Sequence, residues 1–580
     1  MEFNMTRKLS AEELFFCLYF IPMLILKGFG CTDGPVYKGV ILFSGLMILC
    51  KILSGRRSYS IPEYLLILVL LSISFLVWHQ SGNIAVFMGS LMVLSMKNMN
   101  PKKVFRIGSV LWLFCFTAQF VMGITGITAP QFVIHNKFHF GYIIRWAFGF
   151  THPNVLQISY VVLILYILYG FGNGISMKRL FHFLVIAAVG ALYVFIYTLS
   201  ITGMLSFVAM VLFILYFEGS RHAGRKRSIA ENVILELIFP VCILFSILAP
   251  ILLTGRSFEL LNSIMTNRPS LTRFFFQNYP LTPFGQDFTD LPSVLTLDCS
   301  YANLLFYGGL VIFLLMCTGY LITIHQMLHE SPSYENSAGL TILYTVVITA
   351  VSEPFAFNTS CKNVSLFLVG SCIYFLLERM ASSQSKLSNF NYLHKAMPVN
   401  KNYHISHVAL SSAERMDKKP DEHPDKHLSV SSGTDFETDS SENVRRRLFI
   451  PGREMPSATA IILLVFLFIA GGLFGNSIYR NHVHLPEDIY ALRSSCDTDY
   501  DSVNVYLTPE KAEQLRQSGD VWILNYTDAS TPLLKFDGIT IQAEYIRGQI
   551  SSFLWMGLLF DLIAVPVCHC WNKYHKIKTD

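Results

Sequence analysis

Val233-Ile-Leu-Glu-Leu-Ile-Phe-Pro-Val-Cys-Ile-Leu-Phe-Ser-Ile-Leu-Ala-Pro-Ile-Leu-Leu253, followed at once by Thr254-Gly-Arg-Ser257, decides how this chain is read. An apolar run of that length fits the roughly 30 Å hydrocarbon core of a bilayer as a helix. The stretch that follows, Thr254 to Gly309, crowds Arg256, Arg268, Arg273, Asp287, Asp290 and Asp298 ahead of the next apolar run. Charge is expensive beside such runs, so a cluster of this kind belongs at a membrane surface and is there to hold something.

Composition carries the same message across the chain. Of 580 residues, 52% are hydrophobic and 14% charged, and mean hydropathy is +0.46. These values describe a polytopic membrane protein rather than soluble domains. A net charge of +5, scattered between apolar runs, speaks for topology and against a nucleic-acid partner. Twelve cysteines include Cys17, Cys115, Cys242 and Cys317 within apolar runs and form no zinc-spaced pair, so they read as structural thiols. The run after Arg7 and Lys8 lacks a small-residue cleavage site near Lys27 and reads as a retained first span.

Fourteen candidate spans recur, at approximately 12–30, 36–53, 61–78, 82–96, 104–125, 153–172, 180–198, 201–217, 233–253, 301–324, 338–352, 363–379, 457–475 and 552–569. Lys and Arg collect on alternate connections: Arg7-Lys8, Lys51 with Arg56-Arg57, Lys97 to Arg106, Lys178-Arg179, Arg221 to Arg227 and Arg445-Arg446-Arg447. The positive-inside rule makes those connections and both termini cytoplasmic. Within 180–217 the bend is expected at Gly203, with Thr198 to Thr202 at the outer surface. The long outward connections are then 126–152, 254–300 and 353–362.

The fold class expected is an all-α polytopic membrane protein of about 14 transmembrane helices, with a small α/β extracytoplasmic domain near the C-terminus. Residues 1–380 form the membrane core. Residues 381–456, with a serine-rich acidic tract, form a disordered cytoplasmic linker. A two-span region, 457–580, carries the outward domain 476–551, in which Val503–Leu507 and Val521–Tyr526 are strand-like and Pro509–Gln517 helical.

Candidate chemistry lies in the outward connections. Arg256, Arg268 and Arg273 can grip phosphate through their donor forks, or snorkel to lipid headgroups. Arg145 and Lys362 add positive charge on the same side. Asp298 is either a catalytic carboxylate or a helix cap; Asp287, in Pro283-Phe-Gly-Gln-Asp287, is either catalytic or a turn residue. Glu353 and Lys362 flank one loop and invite a salt bridge. His152 suits a base, a phosphate donor or a hydrogen-bonded core residue. Thr151 is placed to cap the following helix, with Pro153 in its first turn. No metal-binding HExxH, Walker or dinucleotide motif is present.

The order Phe148-Gly-Phe-Thr-His-Pro-Asn154, Thr254-Gly-Arg-Ser257, Phe284-Gly285, Asp298-Cys-Ser-Tyr301, Tyr307-Gly308 resembles the O-antigen polymerase/ligase superfamily, in particular the Wzy-type polymerases of capsular and exopolysaccharide repeat units. The likeness covers about residues 10–380. It implies a metal-independent glycosyltransferase without cofactor, in a bacterial cytoplasmic membrane, whose donor is a polyprenyl-diphosphate-linked oligosaccharide. Arginines around Arg256 would hold the diphosphate, and His152, Asp298, Asp287 or Glu353 would assist the acceptor hydroxyl. A flippase and a chain-length regulator of the same pathway are the partners it implies. Two positions depart from the pattern: Ile201 in Leu199-Ser-Ile-Thr-Gly203, where relatives carry arginine, and Cys299, where asparagine is common. A ligase with a different acceptor shares these motifs. A lipid-linked glycan flippase or transporter is the competing class, disfavoured because the spans carry little charge.

Overall fold

The computed structural model describes residues 10–396 and 457–579, apart from 32–33, 126, 129–131, 137–141, 290, 292–294, 296, 483–489, 494–500, 508–522, 526–532 and 536–537. Helices start where short polar side chains can satisfy free backbone N–H groups. Ser10 with Glu13, Ser60 with Glu63 and Ser228 with Glu231 form capping boxes. They open α1 (Ala11–Gly28), α3 (Ile61–Ser81) and α9 (Ile229–Leu252). Proline takes the first turn of α2 (Pro35–Ser54), α5 (Pro101–Ile124) and α6 (Pro153–Phe171). The remaining helices of this part are α4 (Ala85–Leu94), α7 (Met177–Thr198), α8 (Ile201–His222), α10 (Gly255–Ile264), α11 (Arg268–Asn278), α12 (Ser300–Asn303), α13 (Leu310–His329), α14 (Tyr334–Thr349) and α15 (Ser365–Ala396).

Among the described residues, nine helices are long and apolar enough to cross a membrane: α2, α3, α5 to α9, α13 and Tyr545–Val565. The chain is therefore a multi-pass membrane protein, and a lipid bilayer is its solvent. The other five predicted runs are also helical, but α4 has ten residues and α14 sixteen, short of a full crossing. Helices α6 and α14 are buried on nearly every face and form the centre, as helices apolar all round should. Long outer stripes such as Leu42, Leu46, Leu49 and Leu53 on α2 stay exposed.

Lysines and arginines read as topology markers also close helix ends. Lys97 Nζ meets Glu63 Oε1 at 2.6 Å, both buried, and Lys51 Nζ donates to the Lys97 carbonyl at 2.6 Å. Arg106 Nε donates to Gly170 O at the end of α6, and Arg227 Nη2 to Leu328 O at the end of α13. Two expectations shift. The α7–α8 turn is Leu199–Ser200, where Leu199 adopts φ 44° and Ser200 caps α8. Gly203 is not the bend; it lies inside α8, where a Cβ would come 2.4 Å from Gln157 Cγ. α15 runs on to Ala396, past the span end expected at 379, so the start of the linker expected at 381–456 is helical, and its remainder, 397–456, lies outside the described residues.

The chain divides into two units, one of residues 1–383 with 485–544, the other of 384–484 with 545–580. In the first, the all-α expectation meets a six-stranded sheet ordered β2-β1-β4-β3-β6-β5. It comprises β1 (Phe132–Asn136), β2 (Tyr142–Trp146), β3 (Tyr490–Arg493), β4 (Asp501–Leu507), β5 (Ile523–Asn525) and β6 (Leu533–Lys535). β1 pairs antiparallel with both β2 and β4, which joins the 126–152 connection to the C-terminal strands. Within the region expected as an outward domain, 476–551, helix extends to His482 and resumes at Gly538, and the strands between group with the first unit. The predicted helix 509–517 lies outside the described residues. In the second unit, Ser457–His482 packs on Gly538–Thr579 through Gly471 and Gly475, whose missing side chains let the backbones approach Phe560 and Met556.

Candidate functional site

Glu353 follows α14 directly and is 95% buried, its exposed fraction being 5%. Burial at that level obliges a carboxylate to find donors. Its Oε1 accepts from Arg268 Nη2 at 3.1 Å, Asn154 Nδ2 at 3.1 Å and Thr202 Oγ1 at 2.5 Å. Arg268 Nε meets Asp298 Oδ2 at 3.0 Å. Asn154 Oδ1 in turn accepts from Arg145 Nη2 at 2.5 Å, and Arg145 Nε donates to Thr198 O at 2.7 Å, the end of α7. One network thus ties together β2, the starts of α6, α8 and α11, and the loop after α14. Burial pushes the Glu353 carboxyl above its ordinary range; Arg268 opposes this, Asp298 adds to it, and the Thr202 hydroxyl opposes it.

Local backbone choices aim these groups. Among the described residues, six non-glycine residues have φ in the left-handed region, and all but Asn98 flank this end of the bundle: Phe148, Leu199, Thr266, Asn267 and Cys361. Thr266 and Asn267 immediately precede Arg268, and Cys361 precedes Lys362. Such conformations cost roughly 1 kcal/mol or more each and concentrate at working sites. Ser300 stitches the Asp298 segment to the loop: its N–H donates to Ala350 O at 2.9 Å, its hydroxyl donates to Glu353 O and accepts from Ala356 N at 3.2 Å.

Beside the network lies a cavity of about 180 Å³ whose polar walls include Lys27, Gln119, Asn154, Glu353 and Lys362. Lys27 Nζ donates to Cys31 O at 3.3 Å and sits 4.0 Å from the Tyr37 ring centroid. Lys362 is 7% exposed and makes no side-chain hydrogen bond or ion pair with the described residues. Burial lowers its ammonium to about 8; Glu353 opposes that shift and Lys27 reinforces it.

The predicted residues separate accordingly. Arg145, Arg268, Asp298 and Glu353 come together, and Lys362 lines the same cavity as Glu353. The expected Glu353–Lys362 salt bridge does not form; Glu353 pairs with Arg268. His152, not Thr151, caps α6, its Nδ1 accepting from Asn154 N at 3.1 Å, because Pro153 takes the first helical position. Asp287 is exposed and closes a turn on Thr289 N at 2.9 Å. Arg273 donates to the carbonyls of Pro250 and Leu253 at the end of α9 and lies 3.4 Å from the Phe258 ring centroid, so it ties α11 to the corner between α9 and α10. Arg256 is exposed and forms no ion pair with the described residues. Residues missed as site members are Asn154 and Thr202, both inside quoted motifs, and Lys27, whose signal was a cation at the very end of an apolar run. Phe284-Gly285 and Tyr307-Gly308 meet each other instead of the network, Gln286 N donating to Phe306 O at 3.1 Å.

As to metals, Glu236, His325 and His329 are the one described group whose ligand atoms converge, within 4.8 Å. It lies near the start of α9 and the end of α13, the far ends of those helices from Arg268. Compared with known proteins, the chain matches no protein-family model, no curated protein and no solved structure.

Proposed function

We propose that this protein is a multispanning glycosyltransferase that lengthens a glycan carried on a polyprenyl diphosphate, at the outer face of a bacterial cytoplasmic membrane. The observation that carries the reading is the buried Arg268–Glu353–Asp298 network, fed by Arg145, Asn154 and Thr202, at the bundle end away from the lysine-rich turns. Charge of both signs, fixed in a dry site and bordered by a polar cavity, suits a reaction that expels an anionic lipid diphosphate from a sugar carbon. A carboxyl pushed upward at Glu353 suits transfer of a proton to or from the acceptor hydroxyl. Near-absence of charge from the spans' middles argues against a carrier.

In the reaction proposed, the acceptor hydroxyl attacks the anomeric carbon of the donor, its proton passes to a carboxylate, and the polyprenyl diphosphate leaves with the bonding pair. Purified protein incubated with a polyprenyl-diphosphate oligosaccharide should give a ladder of longer glycans, without added metal or nucleotide. A flat product profile in active reconstituted preparations, with acceptor present, would remove the reading. A ligase is distinguished by requiring a second, chemically different acceptor.

A further inference from the structure

Charge compensation separates the cations of this site into two groups. Arg268 is paired with both Asp298 and Glu353, and Arg145 joins the same network through Asn154. Lys27 and Lys362, on the walls of the neighbouring cavity, have no carboxylate partner within salt-bridge distance. An ammonium buried as deeply as that of Lys362 is costly unless an anion meets it. The cavity holds about 180 Å³, space for a phosphate-sized group and some water. Gln119 and Asn154 add amide groups to the wall, and Glu353 lines it with its Oε1 already held by three donors.

A second cavity of about 260 Å³ lies between α3, α4, α13 and α15, lined by apolar side chains including Leu66, Leu70, Met92, Leu315 and Ile322. Asn358 borders both cavities. Leu315 and Ile322 are 38% and 42% exposed on the outer surface of α13, so this groove opens where lipid chains lie. A cationic pocket joined to an apolar groove through one loop is the complement of an amphiphile with a phosphorylated head and a hydrocarbon tail.

We infer that the Lys27–Lys362 cavity, and not the Arg256–Arg273 loop, seats the phosphate groups of the lipid-linked substrate, with its isoprenoid chain lying in the groove along α13. The assignment rests on the lipid-diphosphate reading of function and specifies where that head and tail sit. Arg268 then has a positioning role, holding Glu353 and Asp298.

The test uses the full chain in lipid nanodiscs, with inorganic pyrophosphate and farnesyl diphosphate as probes in calorimetric titrations. Lys362→Met, which fills the same space without charge, should weaken both probes about ten- to a hundredfold, and Lys27→Met likewise; Lys362→Arg should keep part of the affinity. Gly319→Leu adds a side chain to the groove wall, where a Cβ would sit 3.4 Å from Val369 Cγ1. It should cost farnesyl diphosphate at least tenfold while leaving pyrophosphate unchanged, and that retained binding reports an intact fold. Equal affinity of wild-type protein for the two probes would assign the pocket to free diphosphate and overturn the lipid assignment. Wild-type affinities in both Lys→Met variants would overturn the pocket itself. Failure of the two readings looks different: tight farnesyl diphosphate binding without any glycan lengthening defeats glycan transfer and leaves the site standing. Lengthening that persists in Lys362→Met with unchanged binding does the reverse.

Discussion

Replacing Arg268 with Met isolates what holds the network together. The buried Arg268 side chain meets that of Glu353, also buried, at 3.1 Å. At an effective dielectric of about 20, charges at that separation attract by roughly 5 kcal/mol. Asp298 is 25% exposed, so solvent screens its share to about 1 kcal/mol or less. The gain is offset by desolvation, and what the variant loses is the partner of a buried carboxylate, typically about 3–5 kcal/mol. The Glu353 carboxyl is already raised by burial, so in the variant it can escape by taking a proton, each pH unit of that shift being worth about 1.4 kcal/mol. Arg268→Met should therefore destabilise by about 3–5 kcal/mol at pH 8 and by clearly less at pH 5.5. Adding Glu353→Gln should recover about 2 kcal/mol at pH 8, because the amide leaves no orphaned charge. Unfolding by SDS in mixed micelles at both pH values measures each arm of the cycle. A single variant within about 1 kcal/mol of wild type at pH 8, or a double variant no better than Arg268→Met, would refute the reasoning.

Gly285 has φ 82° and a Cβ there would lie 2.1 Å from Tyr307 O, so Gly285→Ala should cost more than about 3 kcal/mol and yield little monodisperse protein on size exclusion. Gly224→Ala, at φ 61° with nothing within 4 Å, should cost only about 1 kcal/mol and purify normally. Arg273→Ala removes the donor to Pro250 O and the contact with Phe258, lowering stability by about 1–3 kcal/mol while pyrophosphate titrations stay unchanged; Arg256→Ala should alter neither. Lys362 carries charge below about 8 and loses it above, with Lys27 and Glu353 the charged groups facing it. The wild-type advantage over Lys362→Met in pyrophosphate affinity should hence shrink between pH 7 and 9. Stability runs the other way: the unfolded chain keeps that proton up to about 10.5, so wild-type resistance to SDS should rise with pH above 8 relative to Lys362→Met.

Helices were legible because their signals are local. Apolar length marked α3, α6 and α9 within a few residues, and Pro153 was read in the first turn of α6. The site was legible only in part, since its members are brought together by pairing that spans the chain. Glu353 and Asp298 stand at helix ends and were found; the arginine that joins them could not be told from Arg256 and Arg273, two more cations in one loop. What separates them is which way α10 and α11 turn, a matter of Thr266 and Asn267 at positive φ, which neither residue type announces. The β1–β4 pairing was hidden for the same reason, its partners lying more than 360 residues apart. Lys51 and Lys97 show the converse: read as markers of orientation, they are buried members of one helix-end cluster.

Charge balance argues against the expectation that three arginines clamp a diphosphate. Arg268 is satisfied by two carboxylates, and Arg273 by two carbonyls and a ring; taking either for a substrate phosphate leaves behind a buried acid or a pair of bare helix-end carbonyls. A binding group should be one whose partner is missing until substrate arrives, because only then is affinity not spent on breaking the resting structure. Lys362 meets that condition. It follows a residue held at φ 55°, lies in a pocket sized for its partner, and shares that pocket with a second ammonium. The same logic places Glu353: it lines the pocket while three donors hold its Oε1, and burial pushes its carboxyl above the ordinary range, which suits it to take a proton from an incoming hydroxyl. Glu353→Gln should therefore leave farnesyl diphosphate affinity within about threefold of wild type while lowering glycan lengthening by about 10² to 10⁴. Loss of binding together with rate would instead make Glu353 part of the head-group seat and break the division of labour between lysines and carboxylates.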